Sequence, residues 1–481
     1  MKRRRSVLAL AGFLATTLWG ASDPGITFVG RGEIPGDMAD KSGLPGKICQ
    51  AGNPTNCIPN TTLGGLGSGI TYTGTDNVFL ATPDRGPFDG RTDIPYIDRF
   101  HFLHLNLDTS KNPNTGVLNI TPTLLDTRLM RADWFKYLLG QSSAIGTDQD
   151  SLRFDPEGVV VTFYGSFYVS DEYGPYIYEF NREGYLLRKI KVPSKFLIAN
   201  PTGDVNDPGD SLELYKYPFI SGPKLTMYGN NTGRQANRGM EGLAITPDGR
   251  YLVGLMQNAL IQDNGLSYPD PQTLATSPSR VGLNNRILKI DLLTGMTWEY
   301  VYVMDSISQG KGTNEILAIN DHEFLVLERD NRSLVSPGAS AFSPASSGLK
   351  RIYKIDLDKP GLTDVSAYDS LPAKFTPVSK VLFLDLLDPS YEVNINVTPH
   401  ATIKSVIAEK MEGLAWGPDL PNGHPVLYVM SDNDLNTDFP TQIYAFEVDP
   451  SEKGANINLV RQRVNSPMFP PGQLKKILGG N

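Results

Sequence analysis

A glutamate that opens a short apolar run occurs four times in this chain, at Glu157-Gly158-Val159, Glu241-Gly242-Leu243, Glu315-Ile316-Leu317 and Glu412-Gly413-Leu414. Each is followed by a second apolar segment that closes on polar residues: Ser170-Asp171-Glu172, Gln257-Asn258, Glu328-Arg329-Asp330 and Asp432-Asn433-Asp434. Recurrence at about 75 to 97 residues marks a repeat architecture, whose units bury their apolar faces only by stacking on neighbours. It also puts one polar pattern at one place in every unit.

The unit beginning at Glu241 shows the internal order. Leu243–Ile245 reads as a strand, Thr246-Pro247-Asp248-Gly249-Arg250 as a turn, and Tyr251–Leu255 as the returning strand. Arg286–Asp291 and Trp298–Met304 follow, split by the turn Leu293-Thr294-Gly295. Four strands joined by tight turns are what one propeller blade requires. A fifth unit starts at Gly65, with Ser68 in place of the glutamate and strands at Asn77–Leu80, Arg99–Leu105 and Val117–Thr121. The segment Ile26–Val29 is expected to pair with the last unit, closing the ring and hiding its edges. The expected fold is all-β: a propeller of five or six four-stranded blades with long inter-strand loops, in one domain over residues 23–481. Two stacked sandwiches would not place an equivalent glutamate in each unit. The 47 glycines and 36 prolines suit so many turns.

Residues 1–22 read as an export signal: basic Lys2-Arg3-Arg4-Arg5, apolar Val7–Trp19 and small Gly20-Ala21-Ser22. The mature chain is therefore expected in the periplasm or outside the cell, with no later segment apolar enough to span a bilayer. Signal removal takes four positive charges from a chain already at a formal −8. That balance argues against nucleic acid and for cationic partners, metal ions above all. Cys49 and Cys57 are the only cysteines, and in an exported chain they read as one local disulfide. A monomer is expected.

In a blade the first strand starts, and the second ends, on the same face of the ring. That geometry gathers Glu157, Glu241, Glu315 and Glu412 with Asp84, Arg85, Asp171, Glu172, Gln257, Glu328, Arg329, Asp432 and Asn433 around one mouth. Carboxylates roughly 8 Å apart repel by about 2 kcal/mol per pair at an effective dielectric near 20. Protons, arginines or a bound cation must offset that charge. Oxygen-only ligands point to Ca²⁺, with Mg²⁺ as the alternative, and not to Zn²⁺. Such residues can also tie neighbouring blades together through main-chain amides. No Gly-x-Ser-x-Gly elbow or Walker loop is present.

The chain resembles the phytase-like family described as having esterase-like activity of phytase. The resemblance lies in Gly64–Ile70, Asp84-Arg85-Gly86, Asp155-Pro156-Glu157-Gly158, Ser170-Asp171-Glu172, Asn237–Leu243, Leu327-Glu328-Arg329, Met411–Leu414 and Ser431-Asp432-Asn433. It implies an exported β-propeller that hydrolyses esters. The expected activity is metal-dependent hydrolysis of a small phosphate ester. Glu157, Glu241, Glu315 and Glu412 would hold the ion, Arg85 and Arg329 the phosphate oxygens, and Asp171 or Asp432 would act as base. Asp84, Glu172, Arg238, Gln257, Glu328 and Asn433 would line the substrate. Calcium-dependent propeller phytases surround phosphate with several lysines as well as acids, whereas this mouth is expected to offer mainly Arg85 and Arg329 with Arg238 nearby, so a substrate as anionic as phytate is not expected. Two alternatives stand beside this reading: a calcium-stabilised propeller that binds a protein or glycan without catalysis, and a lactonase-like carboxylic ester hydrolase.

Overall fold

The computed structural model describes residues 25–141, 152–197, 232–235, 237–267, 279–305, 312–336, 348–394, 398, 400–452 and 455–479. The export signal lies outside the described residues. The chain opens with β1 (Ile26–Ile34) and a hairpin of β2 (Lys47–Gln50) and β3 (Asn53–Pro59), which Cys49 and Cys57 bridge as a disulfide.

Five four-stranded antiparallel sheets follow around a common axis. Blade 1 is β4 (Gly69–Tyr72), β5 (Val78–Thr82), β6 (Arg99–Leu107) and β7 (Ile120–Leu129). Blade 2 is β8 (Pro156–Val161), β9 (Ser166–Asp171), β10 (Ile177–Asn181) and β11 (Leu186–Ile190). Blade 3 begins with β12 (Met240–Ile245) and β13 (Tyr251–Met256). A small inserted pair, β14 (Leu266–Ser267) and β15 (Ser279–Arg280), precedes its outer strands β16 (Asn284–Asp291) and β17 (Thr297–Val303). Blade 4 is β18 (Gly312–Ala318), β19 (Glu323–Arg329), β20 (Lys350–Asp356) and β21 (Lys380–Asp385). Blade 5 is β22 (Lys410–Trp416), β23 (Val426–Asp432) and β24 (Thr441–Val448), completed by β1. β1 runs antiparallel to β24 from Ile26 opposite Val448 to Ile34 opposite Thr441. The expected closure is present, and the sixth blade is not among the described residues. One expectation shifts: the outer strand of blade 1 is Ile120–Leu129, while Val117 and Leu118 lie exposed ahead of it.

Apolar faces pack blade against blade. Phe100 and Phe102 of blade 1 meet Phe167, Val169 and Phe180 of blade 2, and Phe79 packs on Tyr428 of blade 5 with ring centroids 5.1 Å apart and planes tilted at 59°. Strands covered on both faces need no polar alternation, so β5 reads Val-Phe-Leu-Ala-Thr and is buried throughout. The inner strands β4, β8, β12, β18 and β22 touch one another in sequence around the axis.

Four of the five inner strands are bulged where they enter the ring; β4 pairs with β5 in unbroken register. Glu241 has no partner between Met240 and Gly242, and Glu412 none between Met411 and Gly413. Blade 2 has the equivalent irregularity at Glu157-Gly158. In blade 4 the extra residue is Asn314, not Glu315. The bulge turns one polar side chain toward the axis, and the next position must then be nearly flush with the neighbouring blade. A Cβ on Gly158 would stand 2.5 Å from the Leu243 nitrogen, and one on Gly242 2.6 Å from the Ile316 nitrogen. Gly69 and Gly413 are equally close to main chain of the next blade. The recurrent Glu-Gly pair thus serves two needs: an acid toward the axis, and no side chain between blades.

The far end of the channel is crossed by the C-terminal segment. The Val460 amide donates to Ile319 O at 2.8 Å, Gln462 Nε2 to Val161 O at 2.7 Å, and the Asn465 amide to Phe163 O at 2.8 Å. A cavity of about 370 Å³ remains beneath it, walled by Val160, Ile245, Leu317, Trp416, Leu459 and Val460. The chain ends in helix α1 (Pro471–Gly479), docked through Leu474.

Candidate metal and ester site

The bulges set four side chains at the open mouth, Glu157, Glu241, Asn314 and Glu412, while Ser68, ahead of the unbulged β4, donates to Gly65 O at 3.2 Å. Asn314 Nδ2 lies between two of the acids, 3.5 Å from Glu241 Oε1 and 3.4 Å from Glu412 Oε1. Burial lifts Glu157 well above the usual carboxylate range, and Glu241, Asp155, Glu172 and Glu412 add to it. Burial likewise raises Glu241, with Glu172 and Glu412 contributing. Those acids therefore converge, as the strand geometry requires.

Glu315 stands apart. Its Oε1 accepts the amides of Leu243 at 3.0 Å and Ile316 at 2.9 Å, which ties blade 3 to blade 4. Its place one residue after the bulge explains the difference: the axis-facing position of this blade went to Asn314.

A fully buried acid group sits on blade 2. Oxygens of Asp155, Glu157 and Glu172 all lie within 4.8 Å of one another, and all three residues are buried. Arg85 supplies the balancing charge, its Nη1 donating to Asp155 Oδ2 at 2.8 Å and Glu172 Oε2 at 3.0 Å. The Arg85 amide also donates to Asp155 Oδ1 at 2.9 Å. Glu172 Oε1 is buried without a hydrogen-bond partner. A buried carboxylate oxygen left without a donor is costly unless a cation or proton meets it. The donor set is oxygen throughout, which suits Ca²⁺ or Mg²⁺. Burial raises Asp155 to about 7 despite Arg85, with Glu172 contributing.

A second acid group, Asp84, Asp432 and Asp434, faces it from blades 1 and 5. Lys410 already serves this one, contacting Asp434 and lying 3.5 Å from Asp432 Oδ2. Burial lifts Asp84 to about 8, with Arg85 and Lys410 opposing. Beside this group opens a cavity of about 300 Å³, with Glu409, Lys410, Asp432, Asp434 and Phe439 in its walls.

The remaining expected residues divide. Arg329 contacts Glu412 across the mouth, Gln257 contacts Glu241, and Arg238 donates to Asn237 O at 2.6 Å while drawing Glu241 downward. Asp171 instead accepts three main-chain amides, from Asp155, Tyr173 and Gly174, each at 3.1 Å. Asp432 accepts the Asp434 amide at 2.7 Å. Both candidate bases are thus committed to shaping loops, although burial still holds Asp171 at about 6. Glu328 points between blades, accepting from Tyr302 and from Lys380 at 2.6 Å. Asn433 pins its loop to the Gly65 amide at 2.8 Å and to Phe439 O at 2.8 Å. Asp155, Asn314 and Lys410 were not singled out from sequence, yet each lies one or two residues before a repeated glutamate.

A secreted protein of Arthroderma benhamiae is 28% identical to this chain over 396 residues, covering 68% of this chain and 72% of that one. Among solved structures, a quinohemoprotein alcohol dehydrogenase from Pseudomonas putida HK5 aligns with 80% of this chain at 9% identity and a TM-score of 0.27. This chain spans 48% of that enzyme's length. A regucalcin described as calcium-binding, from Agrobacterium tumefaciens, aligns with 84% of this chain and 95% of its own at 11% identity and a TM-score of 0.30. Neither structural likeness bears on function. The family described as phytase-like, esterase-like activity of phytase, matches residues 61–435. Its span takes in both acid groups, all five inner strands and two of the four strands of blade 5, and the chain belongs to that family.

Proposed function

We propose that this is an exported, metal-dependent hydrolase of small esters, phosphate esters first, with its site at the acidic mouth. The observation that carries the reading is the buried Asp155–Glu157–Glu172 group with its donorless Glu172 oxygen. These three carboxylates would hold a hard cation, Ca²⁺ in preference to Mg²⁺. A bound cation of this kind polarises a substrate oxygen and lowers the pKa of a coordinated water. Arg85 fixes Asp155 and Glu172 in place. Arg329 and Arg238, on the far side of the axis, would steady negative oxygens of the substrate. Glu241, raised by burial and by neighbouring acids, can carry the proton that the reaction moves. Export rests on the signal-like first 22 residues and the secreted relative.

The test is a panel of phosphate monoesters, carboxylic esters and lactones, each with Ca²⁺ and with chelator, for the wild type and Glu157→Gln. Turnover of one class that is lost in both the chelated and the Gln protein supports the proposal. A second reading is favoured by the amide contacts of Glu315 and Asp171: a calcium-stabilised binding propeller. It predicts that chelation lowers the melting temperature while no ester is turned over.

A further inference from the structure

The loop after β7 carries the most exposed aromatic pair among the described residues. Trp134 is 75% and Phe135 92% exposed, and they are consecutive. The turn that holds them is closed by its own hydrogen bonds. Asp133 Oδ1 accepts the amides of Phe135 at 2.8 Å and Lys136 at 2.9 Å, and Arg131 pairs with Tyr137 across the stem. Trp134 rests on Tyr185 with the rings tilted at 48° and their centroids 4.8 Å apart, so one ring is braced while the other projects into solvent.

The charges of this stem and of the adjoining turn before β11 are mostly paired: Arg128 with Asp126, Lys136 with Asp133 and Arg182 with Glu183. Arg131 is the exception. The Arg131 guanidinium lies over Tyr137 at 4.3 Å and Tyr185 at 5.6 Å, and no carboxylate among the described residues pairs with it. A cation displayed on aromatic rings beside projecting apolar side chains matches the boundary of a bilayer, where rings enter the acyl edge and arginines meet phosphates. A sugar-binding platform would instead offer a flat ring with polar neighbours at its rim, which a 92% exposed Phe135 does not provide.

We infer that the Trp134–Phe135 tip is a docking element for a phospholipid surface. Its stem is rooted beside the mouth: Met130 and Leu138 hydrogen-bond the main chain of Asp98, and the Gly140 backbone packs against Arg85 O.

The experiment is co-sedimentation of the full mature chain with phosphatidylcholine vesicles and with phosphatidylcholine–phosphatidylglycerol vesicles, read with tryptophan emission. Trp298 is half-buried and Trp416 buried, so a blue shift on binding reports Trp134. The wild type should bind both vesicle types, more tightly where phosphatidylglycerol is present. Trp134→Ala combined with Phe135→Ala should weaken partitioning at least roughly tenfold. Phe135→Ala alone, at a side chain that packs on almost nothing, should weaken it without altering the melting temperature. Absence of wild-type binding to either vesicle overturns the inference. So does equal binding by the double variant, or retention on an insoluble polysaccharide, but not on vesicles, that requires Trp134.

Discussion

Replacing Arg85 with methionine keeps most of the side-chain volume and removes the charge between Asp155 and Glu172. Both acids are buried, and Arg85 Nη1 contacts them at 2.8 and 3.0 Å. Removing one partner of a buried ion pair leaves an uncompensated charge, a loss of about 3–5 kcal/mol. The loss should depend on pH in a defined direction. In the wild type, burial holds Asp155 at about 7, above its ordinary 3.8. Between those values the folded state binds more protons than the unfolded chain, so this group's stabilisation is full below 3.8 and is lost as pH rises through 7. Without Arg85, which lowers it, Asp155 is raised further, and the penalty at high pH grows. Urea unfolding with chelator present, followed by circular dichroism, should therefore show a small gap between variant and wild type at pH 4 and the full gap at pH 8. Millimolar Ca²⁺ should narrow the gap at pH 8, because a cation can take over the guanidinium's place. A gap below 1 kcal/mol at pH 8, or one of equal size at both pH values, would refute the placement of Arg85 as counter-charge.

Gly242→Ala should destabilise by at least roughly 1–3 kcal/mol, since its Cβ would stand 2.6 Å from a main-chain nitrogen that cannot rotate away; thermal unfolding measures it. Glu315→Gln should weaken the tie to Leu243 and Ile316, lowering stability by about 1–2 kcal/mol, while leaving calcium affinity by titration calorimetry unchanged. Glu157→Gln should lower that affinity at least tenfold. Cys49→Ser with Cys57→Ser opens a loop spanning a separation of 8 residues, worth about 2–3 kcal/mol by chain entropy. Because the hairpin lies outside the blades, hydrogen exchange should quicken there and stay slow in the inner strands. Truncation before residue 455 should uncover Trp416 and Ile245, detected as new binding of an apolar dye.

Most of the ring was legible because its causes are local. Tight turns, apolar runs and the Glu-Gly pair all lie within a few residues of one another. The first strand's partnership with the last blade was also readable, since an unpaired apolar segment at the start of a repeat has few other places to go. The register of blade 4 was not. Thr313-Asn314-Glu315 looks like Met240-Glu241-Gly242 displaced by one, and only strand pairing reveals which residue is the unpaired one. The same holds for side-chain direction: Glu328 and Arg329 are adjacent on β19, so one faces the neighbouring blades and the other the mouth. Asp171 lay at the expected end of β9, but its loop-shaping amides come from Tyr173 and Gly174, whose turn no periodicity announces.

The pairing of Ile26 with Val448 has a consequence for how this molecule is born. β1 must wait, unmatched, until β24, made after the other four blades, is available to pair with it. Joining ends so distant in sequence is slow, because loop-closure entropy must be met before the contact stabilises anything. Until then blade 5 presents β24 as a bare edge, open to the wrong partner. Biogenesis should thus be most vulnerable in its final step, and a chaperone that shields either terminus during synthesis would raise yield more than one acting on the middle blades.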